Sequence, residues 1–187
     1  MLDPVRARRV KLLGLDVDGV LTDNGVYMGM AGEVPVELKK FDIQDGLGLA
    51  VLRLMGLEVV WVSGRSSPAT TVRARELGIE MVQESSARKL PALERMLKER
   101  NLGWDQLAFV GDDLADVPVF RRAGLPIAVA NAVAEVKALA AYTTVARGGA
   151  GAVREVVETL LGARGEWDEG VRRYLTERDP DGEPVAR

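Results

Sequence analysis

Short apolar segments alternate with amphipathic segments along most of this chain, and that alternation restricts the possible fold more than any other feature. Five segments of four to six residues have the composition of buried strands: Leu12–Val17, Glu58–Val62, Ile79–Val82, Leu107–Val110 and Ile127–Ala130. Four others carry apolar residues at helical spacing: Leu47–Met55, Pro68–Leu77, Lys89–Arg100 and Val133–Ala140. The pattern predicts an α/β fold, a doubly wound and mostly parallel sheet with helices on both faces.

Two regions depart from this alternation. Residues 25–41 read as two strand-like halves around a central Ala-Gly-Glu, which predicts a β-hairpin after the first strand. Residues 151–161 and 166–176 read as two further helices, and the last ten residues have the composition of a disordered segment. We therefore predict one domain over 1–162 and a tail over 163–187, partly helical and then disordered.

The composition narrows the possible chemistry. The chain has 187 residues, a formal net charge of −3, no cysteine and no histidine. The charge argues against a nucleic-acid partner, and catalysis must use carboxylates, lysine, arginine, hydroxyls or a metal held by oxygen. No apolar segment is typical of a secretory signal or a membrane span, so we expect a cytoplasmic protein without a membrane partner.

Polar clusters follow four of the predicted strands. The first strand ends in "DVDGVLTD", the second in "SGR", the third is followed by "QESSARK", and the fourth ends in "GDDLAD". Each cluster alone is typical of a turn or a helix cap. Because ligands of open α/β sheets bind beyond the carboxyl ends of the strands, the ordered set instead favours one reaction centre.

Carboxylates crowded at one sheet edge repel one another unless a cation lies between them. We predict a Mg²⁺ ion bound by the side chains of Asp16 and Asp112 and by the backbone carbonyl of Asp18. Asp16 would attack phosphorus as the nucleophile, and Asp18 would act as the general acid and base.

The remaining polar residues of these segments receive supporting roles. Ser63 would donate a hydrogen bond to a phosphoryl oxygen, and Lys89 would neutralise the developing negative charge. Gly19 and Gly64 would let the backbone approach the phosphate closely.

Three other aspartates accompany these segments. Asp113 and Asp116 are predicted to lie behind the metal ligands, with Asp113 holding Lys89 or a metal-bound water. Asp23 is expected to shape the turn that leads into the hairpin rather than to take part in the chemistry.

These segments resemble the haloacid dehalogenase superfamily of phosphatases that use an aspartate nucleophile. The longer stretches "DVDGVLTDNGVYM", "FDIQDGLGLAVLR" and "RGGAGAVREVVETLL" are similar to one branch, the 3-deoxy-D-manno-octulosonate 8-phosphate phosphatases and related nonulosonate-phosphate phosphatases. The resemblance runs from about residue 12 to residue 161. It implies the same roles for Asp16, Asp18, Ser63, Lys89 and Asp112.

The resemblance also implies residues that the spacing alone does not assign. Asp45, Gly46, Arg65 and the "RGGAG" segment fall where the branch lines its sugar pocket, and Arg147 is expected to reach a substrate carboxylate. The loop before the lysine is one residue longer than usual in the family, so Arg88 competes with Lys89 for that role.

The spacing leaves no room for a cap domain, because only a hairpin and one helix separate Asp16 from Ser63. The branch instead assembles as a homotetramer, with hairpins packed together and a neighbour's C-terminal tail near the site. Tyr27, Met28 and Met30 give this hairpin the apolar surface that such packing needs.

The resulting hypothesis is a Mg²⁺-dependent phosphatase that hydrolyses 3-deoxy-D-manno-octulosonate 8-phosphate during the synthesis of cell-surface sugars. One alternative keeps the mechanism but takes an N-acylneuraminate 9-phosphate or another small phosphoester. Two others belong to different classes: a non-catalytic oligomerising domain, and a signalling domain that accepts a phosphoryl group.

Overall fold

The computed structural model describes residues 2–83 and 88–180 and contains eight strands within them. Two strands form a separate antiparallel pair, and the other six form a single parallel sheet. In chain order the strands are β1 (Leu12–Leu15), β2 (Tyr27–Ala31), β3 (Val34–Leu38), β4 (Glu58–Ser63), β5 (Glu80–Gln83), β6 (Leu107–Gly111), β7 (Leu125–Ala128) and β8 (Tyr142–Thr143).

Eight α-helices connect or flank these strands in the described part of the chain. They are α1 (Pro4–Arg9), α2 (Ile43–Leu54), α3 (Pro68–Leu77), α4 (Lys89–Glu99), α5 (Val117–Phe120), α6 (Ala134–Lys137), α7 (Ala152–Arg164) and α8 (Trp167–Thr176). None of the helices in the described ranges has both the length and the apolar composition needed to cross a bilayer.

The six-stranded sheet has the order β5-β4-β1-β6-β7-β8, which places β1 at its centre. Leu12 pairs with Glu58 of β4 on one side and with Leu107 of β6 on the other. Right-handed crossovers then put α2 and α3 on one face and α4, α5 and α6 on the other. The predicted doubly wound, mostly parallel α/β architecture is confirmed, and the carboxyl ends of β1, β4, β6 and β7 share one edge.

Several boundaries differ from those that the sequence predicts. β1 ends at Leu15 rather than Val17, because the Val17 carbonyl accepts the N–H groups of Leu21 (3.0 Å) and Thr22 (3.1 Å) and so begins a tight turn. The helix expected over 133–140 is only one turn long in α6. Neither α1 nor β8 was predicted, since both are too short to show a clear hydrophobic period.

The predicted hairpin is present as the antiparallel pair β2 and β3. It projects from the sheet, and an isolated bridge between Thr22 and Phe41 closes its base. The apolar side chains of Tyr27, Met28 and Met30 are exposed, with Met28 at 67%. The hairpin therefore presents an apolar surface that nothing else in the described part of this chain covers.

The segment after residue 162 extends the fold. α7 continues to Arg164, and α8 packs against α2 and α7 with Trp167 buried. A Cβ atom at Gly170 would lie 2.9 Å from Val51 Cγ1, so α8 lies closely on α2 at this point. The disorder predicted for the last ten residues falls largely on 181–187, outside the described residues.

Asp45 ties the first turn of α2 to the first turn of α7. Its Oδ1 accepts the backbone N–H of Arg154 (2.7 Å) in the first turn of α7. Within the described ranges Asp45 Oδ2 has no hydrogen-bond partner although it is buried. Burial raises the pKa of Asp45 to about 6, against an ordinary 3.8, and the Arg154 N–H only partly opposes that rise.

We expect Asp45→Asn to change how stability depends on pH. A carboxyl whose pKa is raised in the folded state loses its stabilising contribution as pH rises from about 4 through 6. Wild type should therefore lose about 2 kcal/mol relative to Asp45→Asn between pH 4.5 and 7.5. Urea unfolding at both pH values measures this difference. Parallel pH curves for the two proteins would contradict it, and Asp105→Asn, at an exposed carboxylate, is the control.

Candidate active site

One buried ammonium group lies between two buried carboxylates where β1 and β6 end. Lys89, the first residue of α4, places its Nζ 2.6 Å from Asp16 Oδ1 and 2.6 Å from Asp116 Oδ1. Asp16 Oδ1 also accepts the backbone N–H of Val17 (2.7 Å). The ion pair with Lys89 and the hydrogen bond from the Val17 N–H therefore fix the orientation of Asp16, the predicted nucleophile.

A third carboxylate, that of Asp112, completes the cluster. Oxygen atoms of Asp16, Asp112 and Asp116 all lie within 4.8 Å of one another. Asp116 Oδ2 accepts the backbone N–H groups of Asp112 (2.9 Å) and Asp113 (3.3 Å), so both of its oxygens are used. By contrast, Asp112 Oδ1 is buried and has no partner among the residues that the structure describes.

The charges of this cluster do not balance. Burial, and then the charges of Asp16 and Asp116, raise the pKa of Asp112 to about 8. Burial and Asp116 raise the pKa of Asp16 to about 6, and Lys89 opposes that rise. Burial disfavours the charge of Lys89, but the carboxylates of Asp16 and Asp116 raise its pKa above the ordinary value. One cation serves three carboxylates, so negative charge is left over.

That imbalance fits a divalent metal ion. The donor set consists of carboxylate oxygens, which Mg²⁺ prefers, and Asp112 presents a buried oxygen that has no hydrogen-bond partner among the described residues. A dication bound between Asp16 and Asp112 would stabilise both ionised forms and return their pKa values toward the ordinary range.

The turn after β1 packs very tightly onto this cluster. Gly19 has φ +87°, and a Cβ atom there would lie 2.0 Å from Asp112 Oδ2, so only glycine fits. The Asn131 amide nitrogen donates to the carbonyl of Gly19 (2.9 Å), and its oxygen accepts the N–H of Gly148 (2.7 Å). A Cβ at Gly148 would lie 1.8 Å from the Gly19 carbonyl oxygen. The "RGGAG" segment therefore buttresses the turn of the first motif.

Asp18 lies at the more open side of the cluster and is bound from the hairpin. Lys39 Nζ donates to Asp18 Oδ1 at 2.5 Å, and Arg65 Nη1 lies 4.0 Å from Asp18 Oδ2. Arg65 in turn pairs with Glu37, another hairpin residue, and the hydroxyl of Ser67 donates to the same carboxylate. The hairpin thus supplies two charged residues to the mouth of the site.

Ser63 and Lys89 both lie where the sequence predicts. Ser63 is the last residue of β4 and is buried, and its hydroxyl donates to the Arg65 carbonyl (2.9 Å). Lys89, rather than the exposed Arg88, reaches the cluster. Asp116, rather than Asp113, holds Lys89, because Asp113 is exposed and its side chain caps a short 3-10 helix through the Leu114 N–H.

The predicted substrate-binding residues occupy more varied positions. Arg65 lies at the mouth, next to Asp18, and Gly64 follows β4 directly at the same sheet edge. Arg147 is exposed at the start of the glycine-rich segment. Asp45 and Gly46 lie in the first turn of α2, where Asp45 bonds to α7. Substrate contact by these residues remains a prediction.

Asp23 takes the structural role that the sequence predicts for it. Its carboxylate accepts the Gly25 N–H (3.0 Å) and the Tyr27 hydroxyl (2.9 Å), which shapes the entry into the hairpin.

The sequence reasoning missed three residues that contact the site: Glu37, Lys39 and Asn131. Glu37 and Lys39 are two positions apart at the end of a strand, so they point to the same face, while Leu38 points away. Asn131 follows β7 at the edge where the other polar residues gather. Both signals were present in the sequence, in the strand alternation and in the strand-end rule.

The sequence of this chain is similar to sequences of known phosphatases and to one family model. A model of the haloacid dehalogenase-like hydrolase family matches residues 65–155. The 3-deoxy-D-manno-octulosonate 8-phosphate phosphatase KdsC of Escherichia coli K12 is 41% identical over 164 residues, which cover 88% of this chain and 86% of that protein.

Two solved structures are similar over nearly their whole length. A probable YrbI family phosphatase from Pseudomonas syringae has a TM-score of 0.85 and 41% identity, covering 92% of this chain and 96% of that one. The 3-deoxy-D-manno-octulosonate 8-phosphate phosphatase of Moraxella catarrhalis, in complex with a magnesium ion, a phosphate ion and a KDO molecule, has a TM-score of 0.84. It is 36% identical and covers 91% of this chain and 97% of that one.

These matches confirm the resemblance and the prediction of a phosphatase enzyme. The two solved structures each cover more than nine tenths of this chain. The chain therefore belongs to the haloacid dehalogenase-like hydrolase family.

Proposed function

We propose that this protein is a Mg²⁺-dependent phosphatase that hydrolyses 3-deoxy-D-manno-octulosonate 8-phosphate through an aspartyl-phosphate intermediate. The observation that carries the proposal is the buried cluster in which Lys89 orients Asp16 and Asp112 keeps a carboxylate oxygen free. The similarity to KdsC across 88% of the chain supports the choice of substrate.

The chemistry begins with an attack by Asp16 on the phosphorus atom. One carboxylate oxygen of Asp16 forms a bond to phosphorus as the bond from phosphorus to the sugar oxygen breaks. Asp18 donates a proton to the departing sugar oxygen, and Lys89 offsets the negative charge that gathers on the phosphoryl group. Ser63 and the neighbouring backbone N–H groups are placed to donate hydrogen bonds to the same oxygens.

The second half of the reaction restores the enzyme. Asp18, now ionised, accepts a proton from the water that attacks the phosphorus atom of the aspartyl-phosphate. Inorganic phosphate leaves, and Asp16 is again a free carboxylate. When bound, Mg²⁺ neutralises charge on the phosphoryl oxygens, and the side chains of Asp16 and Asp112 with the carbonyl of Asp18 would hold it.

The substrate is a sugar acid, and the mouth of the site carries a suitable cation. Arg65 is 41% exposed, lies next to Asp18 and is oriented by Glu37. A planar guanidinium recognises a carboxylate through paired hydrogen bonds. We assign Arg65 and Arg147 to the carboxylate end of the substrate, with Gly64 close to the phosphate.

The protein would act as a homotetramer. Among the described residues only the hairpin and α2 lie between β1 and β4, and the exposed apolar side chains of the hairpin supply a surface that neighbouring subunits would cover. A partner subunit's hairpin and tail would also exclude water from the open site.

We expect Asp16→Asn to lower kcat for 3-deoxy-D-manno-octulosonate 8-phosphate at least about a thousandfold, because the amide is a poor nucleophile. Phosphate release in the presence of Mg²⁺ measures this loss. The wild-type protein is assayed in the same way on N-acylneuraminate 9-phosphate and simple sugar phosphates as alternative substrates. Circular dichroism checks that the variant is folded. Substantial activity in Asp16→Asn would contradict the mechanism, and a clear preference for another phosphoester would contradict the substrate.

Asp112→Asn should separate stability from metal binding. Without metal, ionised Asp112 is destabilising because its folded pKa is raised to about 8, so stability falls as pH rises toward 8. At pH 8.5 the metal-free variant should be at least about 1 kcal/mol more stable, or roughly 2–4 °C in melting temperature. Millimolar Mg²⁺ should raise the melting temperature of wild type and of the exposed-site control Asp105→Asn, but not of Asp112→Asn. A lower melting temperature in metal-free Asp112→Asn would contradict this account.

The hairpin surface predicts the effect of added charge on assembly. Introducing Met28→Glu and Met30→Glu together places like charges where apolar surfaces would meet, so the tetramer should dissociate. Light scattering coupled to size-exclusion chromatography measures the mass of each species. Val5→Glu, at an exposed apolar position of α1, should leave the tetramer intact. A monomeric wild type would contradict the proposed assembly.

A further inference from the structure

A second buried lysine contacts the proposed acid and base. Lys39 follows β3 directly, and its side chain is 0% exposed. Its ammonium group donates to Asp18 Oδ1 (2.5 Å) and to the hydroxyl of Thr70 (3.3 Å), with Glu37 Oε1 3.9 Å away. The next residue, Lys40, is exposed. Two adjacent lysines therefore occupy opposite environments.

Burial of this ammonium group needs an explanation. A lysine that is withdrawn from water loses its hydration and keeps its charge only where partners replace the water. Strand alternation turns Glu37 and Lys39 inward and leaves Leu38 66% exposed. The inward direction leads to Asp18, so the hairpin delivers its buried charge to a residue of the proposed mechanism.

We propose that Lys39 is a positioning residue that sets the orientation of the Asp18 carboxylate for proton transfer. Aspartate has two rotatable side-chain bonds, and proton transfer requires its carboxyl group within hydrogen-bond distance of the departing oxygen. Lys39 is anchored by Thr70 and holds Oδ1, which selects one orientation and directs Oδ2 toward the mouth, 4.0 Å from Arg65. This inference rests on the proposed function.

How much the first step of the reaction depends on proton donation by Asp18 differs between esters. A sugar alkoxide is a poor leaving group and needs the proton from Asp18, whereas 4-nitrophenolate departs without one. The value of kcat/KM reports the steps up to formation of the aspartyl-phosphate, not the hydrolysis that follows. A residue that orients Asp18 therefore affects kcat/KM for sugar phosphates far more than for 4-nitrophenyl phosphate.

The test compares Lys39→Met with Lys40→Met on both esters in the presence of Mg²⁺. Lys39→Met should lower kcat/KM roughly 10- to 100-fold for 3-deoxy-D-manno-octulosonate 8-phosphate, and less than about threefold for 4-nitrophenyl phosphate. Lys40→Met should change neither value by more than about twofold. Lys39→Gln keeps a buried hydrogen-bond donor, and should show the same selectivity with a smaller loss if Lys39→Met does not fold.

A double-mutant cycle with Asp18→Asn isolates the route of the effect. If Lys39 acts through Asp18, adding Lys39→Met to Asp18→Asn should produce no further loss with the sugar phosphate. Equal losses on the two esters, or a further loss in the Asp18→Asn background, would overturn the inference while leaving the proposed function in place. A wild-type protein that hydrolyses neither ester would overturn both.

Discussion

Three buried carboxylates share one buried ammonium group, and the other residues of the site pack around this charged cluster. Lys89 contacts Asp16 and Asp116, whereas one buried oxygen of Asp112 has no hydrogen-bond partner among the described residues, and burial with the neighbouring carboxylates raises the pKa of Asp112 to about 8. Unpaired buried charge is destabilising, and a fold retains it only where something else repays the free energy. A divalent cation bound between Asp16 and Asp112 would do so, because its positive charge would offset the carboxylate charge that Lys89 does not. The metal-free protein is therefore more stable when Asp112 is neutral, whereas metal binding would require Asp112 in its ionised form.

Glycines allow the backbone to close around this charge. Side chains at Gly19, Gly111 or Gly148 would collide with Asp112, with Asp116 or with the Gly19 carbonyl, respectively. The glycine-rich segment before α7 is therefore explained by packing against the first motif, whether or not Arg147 also meets the substrate. Similarity to a family in such a segment can reflect close packing of the backbone or recognition of the substrate. The contacts in the structure show that packing alone accounts for these glycines.

The sequence was sufficient wherever the parallel sheet itself determines position. Asp16 and Asp112 follow strands, and Ser63 ends one, whose carboxyl ends must share an edge, so their placement at that edge follows from the parallel sheet. Lys39 comes from a hairpin outside that sheet, and the order of the strands in the sheet does not predict where such a hairpin packs. Asp45 illustrates a second limit, because its hydrogen bond from the N–H of Arg154 joins two residues 109 positions apart, on helices that periodicity alone does not pair.

The hairpin connects assembly to chemistry. An isolated two-stranded hairpin is marginally stable in water, so its placement depends on what it contacts. Here those contacts are the bridge from Thr22 to Phe41 and the ion pairs of Glu37 and Lys39. The same ion pairs that orient Asp18 and Arg65 therefore also dock the hairpin. Covering its apolar outer face in a tetramer would hold the inner face against the site. The orientation of Asp18, the proposed acid, would then depend directly on how firmly the hairpin is held in place.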